Sequence, residues 1–339
     1  MEEMQAILQN YGLSLTFYES FGKAAKVYTD KGVFAIKRIP ANEGMEFIRL
    51  LQLLFQKGYH RLVPVYPTLD GRYGVLRGRH LYYLMPWLTD NEKEGRNQRY
   101  QQMFRELARL HTLSAREIPV DQEERKQHFE RMKAEWEKQE EFLEQWISSC
   151  EQEIYMSPFQ LLSSLYYIQI LQALRFSKEK LEEWYEASKE NKTVRTVIIH
   201  GKLSPEHFLY NEDGLGYFSN FERSQTALPI RDLLPFLSRA LKTYPTKHDE
   251  CLEWIMTYFA YFPLKEDEMS LFLSYLSYPG QILSTLEKYS ETDVKKDEKY
   301  FVRILQHDYW QLRNIEYIVM RIVENEQAKK EKQGGNSPQ

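Results

Sequence analysis

Over roughly the first 90 positions apolar and polar residues alternate in short runs separated by glycine-containing turns. Positions 13–21, 25–29 and 33–39 carry apolar, aromatic and β-branched residues, with Asp30, Lys31 and Gly32 between the second and third runs. This pattern predicts a three-stranded antiparallel meander. Phe47, Leu50, Leu51, Leu54 and Phe55 then recur at helical spacing, after Asn42 as a cap and before Gly58 as a stop. Positions 73–76 and 80–85 return to strand-like runs, with Asp70-Gly71 and Arg77-Gly78-Arg79 as turns. The predicted order of this part is β-β-β-α-β-β.

From position 91 the period becomes helical, first over 99–113, where Met103, Leu107 and Leu110 form one stripe. Positions 121–146 set Phe129, Met132, Trp136, Phe142 and Trp146 among Glu, Lys, Arg and Gln, which predicts a long helix with one buried side and a solvated charged face. Two helices are expected over 158–176 and 178–190, then a short buried β-branched strand over 193–199. A strand pair follows at 208–210 and 216–219, joined through Glu212-Asp213-Gly214. After Asp232 the chain is expected to be helical to about 325. The expected organisation is an N-terminal lobe of sheet plus one helix over 1–88, a helical lobe over 89–325, and a flexible polar tail over 326–339. No internal repeat is visible.

Composition narrows the function classes. The chain has 339 residues with 42% hydrophobic and 28% charged, a globular composition that excludes collagen-like and disordered classes. A net charge of −4 gives no global basic field for nucleic acid or an anionic membrane. No apolar run reaches the roughly 18 residues of a membrane span. The start, MEEMQAILQN, does not read as a signal peptide, and Cys150 and Cys251 are too few for a disulfide framework, so a reducing cytosol is the expected compartment. His200, Glu206, His207 and Asp213 match no zinc spacing, there is no Gly-x-Ser-x-Gly elbow, and no metal site is expected.

A lysine on the third strand, in Phe34-Ala35-Ile36-Lys37, and a His-Gly motif behind a buried strand, Val197-Ile198-Ile199-His200-Gly201, resemble the protein-kinase-like fold of aminoglycoside and choline phosphotransferases. The resemblance spans nearly the whole chain. It implies a bilobal α+β architecture, with a small antiparallel-sheet lobe and a large, mostly helical one. It also implies that Lys37 meets ATP phosphates and pairs with a helix glutamate, Glu46 first and Glu43 second. Positions 83–87, with Tyr83 and Met85, fall at the hinge where backbone groups meet adenine, and the helix ending in His111 matches a Leu-Ala-x-Leu-His helix of these enzymes. Taken alone, a strand lysine followed by a helix glutamate is an ordinary surface pair, and His111 is a satisfied core histidine.

The stronger signal is the run from His200 to Leu209, inside a degenerate catalytic segment over 197–222, which aligns without a gap to His-Gly-Asp-Leu-x-Pro-x-Asn-Ile/Phe-Leu. In that pattern the Asp accepts the substrate proton, while the Asn and a later Asp hold magnesium. Here Lys202, His207 and Asn220 stand at these three positions, so the formal charge there goes from −2 to +1. Asp232 keeps the family's structural aspartate. Lys202 while protonated is no base, and neither an ammonium nor an imidazole suits magnesium. The single glycine of Phe21-Gly22-Lys23-Ala24-Ala25 is a poor phosphate loop. No catalytic residue and no cofactor are expected. ATP with magnesium belongs only to the alternative, a small-molecule kinase using Glu222 or Glu206 as relocated ligands; a third reading is a metal-independent nucleotide or anion site at Lys37 and Lys202.

The run Val27-Tyr28-Thr29-Asp30-Lys31-Gly32-Val33-Phe34-Ala35-Ile36-Lys37, the His-Gly-Lys-Leu-Ser-Pro-Glu-His segment and the length are similar to CotS-type spore coat proteins of endospore-forming bacilli. That resemblance implies synthesis in the mother-cell cytoplasm, deposition on the forespore surface or spore coat, and other coat proteins as partners. The expected role is structural or scaffolding. The 24 Tyr, 18 Phe and 6 Trp supply core, and any exposed share of them an interaction surface.

Overall fold

The computed structural model describes residues 1–89, 95–291 and 297–334. The chain begins with helix α1 (Glu2–Leu8), then strands β1 (Leu15–Phe21), β2 (Ala24–Thr29) and β3 (Gly32–Pro40). Helix α2 (Gly44–Gln56), strands β4 (Val75–Arg77) and β5 (His80–Pro86), helix α3 (Arg96–Ser114) and strand β6 (Arg116–Pro119) follow. The long helices α4 (Gln122–Glu151) and α5 (Pro158–Ser188) precede β7 (Thr193–Ile199), β8 (Phe208–Tyr210), β9 (Gly216–Phe218) and β10 (Gln225–Ala227). The last elements are α6 (Ile230–Ala240), α7 (Asp249–Tyr261), α8 (Glu266–Ser277), α9 (Gly280–Glu291) and α10 (Glu298–Gly334). An antiparallel sheet near the N-terminus followed by a mostly helical C-terminal part is the expected α+β class.

Packing separates the chain into two compact units, Met1–Arg116 with Thr196–Asp232, and Glu117–Arg195 with Leu233–Gln339. This division groups α3 and the 197–222 segment with the N-terminal sheet rather than with the long helices.

In the first unit the five-stranded sheet has order β1-β2-β3-β5-β4, antiparallel throughout. Strand alternation decides which face each residue serves. Val27, Ile36 and Leu84 turn to one face and form a core with Ile7 and Leu8 of α1. That helix is an addition to the expected order, and Met4, Ile7 and Leu8 carry its apolar stripe. The residues of β3 on the other face are Ala35, Lys37 and Ile39, which line a cavity. The loop after α2 packs on β9, where the Val63 amide donates to the Phe218 carbonyl at 2.8 Å and the Phe218 amide to the Arg61 carbonyl at 2.9 Å.

In the second unit, Asp121 caps α4 by accepting from the amides of Glu123 at 2.8 Å and Glu124 at 3.4 Å. The two helices expected over 158–176 and 178–190 are one helix of 31 residues, α5. Ser177 does not interrupt it, because its hydroxyl donates to the Ala173 carbonyl at 2.8 Å inside the helix. Ser157 and Gln160 form a capping box at its start, with Pro158 at the first turn. The polar stretch from 326 is helical where described, since α10 continues to Gly334. Much of the aromatic surplus here is core: Trp136, Phe159, Trp254, Tyr258 and Phe272 are buried, with Trp136 stacked on Tyr278 at 4.5 Å and Phe159 on Tyr289 at 3.7 Å. Tyr155, Tyr244, Tyr261 and Tyr300 are exposed.

Candidate functional site

The segment aligned with the family's catalytic loop is built on Asp232. Its carboxylate accepts from the amide of His200 at 2.6 Å and of Gly201 at 2.8 Å, and lies 3.2 Å from Nε2 of His111. Burial pushes this carboxyl up, but the hydrogen bond to His111, the electrostatic attraction of the two neighbouring imidazoles and the His200 amide outweigh it and hold it below the ordinary value. His111 and Asp232 therefore brace the loop. Gly201 has φ +77°, and a Cβ there would lie 2.1 Å from the Arg223 carbonyl oxygen, so only glycine fits.

The two histidines serve the backbone. His200 Nδ1 accepts from the Lys202 amide at 3.2 Å, so its other ring nitrogen, 2.7 Å from the Ser219 carbonyl, is the donor. Burial lowers its pKa and keeps it neutral. His207 Nδ1 lies 2.8 Å from the Lys202 carbonyl and donates to it, and the Ser219 amide donates to the His207 carbonyl at 2.8 Å. Burial of His207 drops its pKa to about 4. Arg99, which no sequence motif singles out, donates to the Pro205 carbonyl at 2.7 Å and fixes the turn preceding β8.

Lys37 contacts Glu222 in an ion pair and Asn220 in a hydrogen bond, and the Tyr83 hydroxyl donates to Glu222. Burial lowers the Lys37 pKa, opposed by Glu222 and assisted by the like charges of Lys202 and Lys23. Burial pushes Glu222 up, but Lys37 and the Tyr83 hydroxyl outweigh it and keep the carboxylate ionised. The expected Lys37–Glu46 pair is not formed. Phe47 takes the inward position of α2, buried 5.3 Å from the Tyr83 ring, and its neighbour Glu46 is left exposed. The side chain of Glu43, the second candidate, lies outside the described residues. Tyr83 spends its hydroxyl on Glu222 and is buried, whereas Met85 lines the cavity. Asn220 has φ +64°, a left-handed conformation that asparagine tolerates.

The cavity holds about 650 Å³ and is lined by Lys23, Lys37, Lys202, Glu206, Glu222 and Arg223 together with Met85 and Trp87. The three motif positions offer magnesium no carboxylate. Lys202 brings an ammonium, His207 points Nδ1 at a backbone carbonyl, and the Asn220 oxygen and Oε1 of Glu222 are engaged by Lys37. Among the described residues no three His, Cys, Asp or Glu side chains are grouped as metal ligands, and no helix is long and apolar enough to cross a membrane.

With a lysine strand, a His-Gly loop braced by an aspartate and a cavity between them, the class is that of a kinase-like phosphotransferase fold. The model of the phosphotransferase enzyme family matches residues 25–262, and the chain belongs to that family. Its structure is similar to an aminoglycoside phosphotransferase from Alicyclobacillus acidocaldarius, at TM-score 0.69 and 15% identity, covering 95% of each chain. Spectinomycin phosphotransferase APH(9)-Ia is similar at TM-score 0.53 and 12% identity, over 94% of this chain and 97% of that one. A microcompartment-associated aminopropanol kinase is similar at TM-score 0.52 and 16% identity, over 91% and 95%. At these identities the likeness is one of fold. No curated protein matches the sequence.

Proposed function

We propose that this member of the phosphotransferase family is non-catalytic and acts as a structural or scaffolding component of the bacterial endospore coat. The observation that carries the first half is the state of Lys37. The cation expected at ATP phosphates is held by Glu222 and Asn220, while the position of the proton-accepting Asp carries Lys202. A protonated lysine accepts no proton, and the three motif positions carry no carboxylate to anchor a metal. His200, His111, Gly201 and Asp232 keep the loop's shape without its chemistry. Phosphoryl transfer is tested by ATP consumption with magnesium. The wild type is expected to show none above background, and turnover that Lys37→Ala abolishes overturns the reading. Activity appearing only in Lys202→Asp/His207→Asn/Asn220→Asp supports it.

The second half rests on the sequence resemblance to CotS-type coat proteins, with a pattern similar to that of the YutH coat-associated protein. Synthesis in the mother-cell cytoplasm, deposition on the forespore and other coat proteins as partners follow from it as proposals. A fluorescent fusion in a sporulating bacillus tests this: a ring around the forespore is expected, and uniform cytoplasmic fluorescence throughout sporulation counts against it. A kinase with relocated ligands keeps one observation in its favour, since Glu222 and Glu206 both line the cavity. The ATP assay decides between the two.

A further inference from the structure

From Ile154 to Leu174 the chain carries no charged residue, although 28% of its residues are charged. This stretch is the loop after α4 and the first half of α5. Three sides of α5 are covered within the second unit. Against α4, Trp146 donates to the Ser163 hydroxyl at 3.0 Å; against α8, the Ser177 and Ser277 hydroxyls meet at 2.9 Å; against α10, Tyr166 stacks on Tyr309 at 3.6 Å. The fourth side holds Leu161, Leu165 and Ile168, which share one face of the helix at i, i+4 and i+7 and are each more than half exposed. Gln172 and Phe176 continue this face into a cavity of about 390 Å³ that they share with Met320 and Val323 of α10. Ile154 and Tyr155, ahead of the helix, are 89% and 90% exposed, and Met320 is 55% exposed. At about 200 Å² for a whole residue of this size, these six present roughly 800 Å², more than the largest apolar patch of a typical monomer and equal to one partner's share of a standard interface.

We infer that this face of α5 is where a second copy of the chain docks, the two α5 helices lying antiparallel about a two-fold axis at Leu165 and Ile168. Besides the area, the charges at the two ends select a copy. The uncharged strip is bounded by Glu151 and Glu153 at its start and by Arg175 and Lys178 at its end. Antiparallel apposition sets the acidic start of each copy beside the basic end of the other, whereas parallel apposition sets like charges together. Arg175 already pairs with Glu140 and Glu144, and Lys178 with Glu140, but the Arg175 side chain remains 59% exposed, and its guanidinium has five N–H donors to share. The same axis places Leu161 of one copy over Gln172 of the other, at the cavity beside Phe176, so each groove receives the start of the opposite strip. A membrane surface would instead call for lysine or arginine along both borders of the strip. The inference is independent of whether the chain transfers phosphate.

Sedimentation velocity of the full chain over a hundredfold range of concentration tests this. The wild type is expected at twice the mass of one chain at the upper end and to dissociate on dilution. Leu165→Glu and Ile168→Glu, made separately at exposed positions, are expected to keep the melting temperature of the dilute wild type and to weaken association at least tenfold. Orientation is read by cross-linking, since Cys150 and Cys251 are buried and leave introduced thiols to react alone. Under mild oxidation Leu165→Cys is expected to form a disulfide with its own copy, Gln172→Cys by itself to form none, and a mixture of Leu161→Cys and Gln172→Cys to form the mixed dimer. A chain that is monomeric over the whole range, or a dimer that both glutamate variants leave intact, overturns the inference. Gln172→Cys cross-linking to itself as readily as Leu165→Cys marks parallel helices and overturns it as well.

Discussion

His207 shows how one side chain is tied to the architecture of the loop that carries it. Its imidazole holds the Lys202 carbonyl and its carbonyl takes the Ser219 amide, so its charge state is tied to the loop. With a native pKa of about 4 against an ordinary 6.5, the unfolded chain binds the proton first as pH falls. Stability is therefore expected to drop between about pH 6.5 and 4, by about 3 kcal/mol from this residue, with no further loss from it at lower pH. Melting temperatures across this range check it: His207→Asn should flatten the drop, and an unchanged slope would contradict the assignment. Gly201→Ala belongs to the same scale. Both its positive φ and the Arg223 carbonyl oxygen, 2.1 Å from where a Cβ would sit, oppose any side chain, so a loss of at least about 2 kcal/mol in urea unfolding is expected.

At the scale of elements, propensity and capping explain most of what formed. Asp121 and Ser157 lie where polar caps precede apolar periodicity, and both start long helices. Ser157→Ala is expected to cost about 1 kcal/mol, since it removes a capping hydroxyl that also meets the Tyr289 hydroxyl at 2.9 Å. Chemical denaturation measures it, and a neutral result would show that Gln160 and Pro158 suffice. Ser177 reads as a break in α5 from sequence, but a serine can bond its own helix backbone as readily as break it. The inward face of α2 differs from expectation for a related reason: with Phe47 and Glu46 adjacent, helical spacing admits only one of them inward, and the buried Tyr83 ring selects Phe47.

For the whole molecule, the first unit is discontinuous in sequence. Met1–Arg116 lacks Thr196–Asp232, including the Phe218 strand that pairs with the loop at Arg61 and Val63 and the Asp232 that binds His111. Residues 1–116 expressed alone are therefore expected to show no cooperative thermal transition by circular dichroism. A sharp transition would show that the sheet and α3 carry their own core. An expectation drawn in sequence order, with a boundary near 88, follows chain continuity, whereas burial follows contact.

Most strands and helices, though not α1, β6 or β10, together with the position of the His-Gly segment and the bracing role of Asp232, are legible in the sequence, because each rests on local periodicity or on a contiguous motif. The partner of Lys37 is not. Lys37 and Asn220 stand 183 positions apart, and which carboxylate reaches that ammonium depends on how α2 turns and where the turn after β9 is placed. Side-chain charge is written in the sequence, but pairing requires distance and desolvation, and those are set only when distant segments share one core.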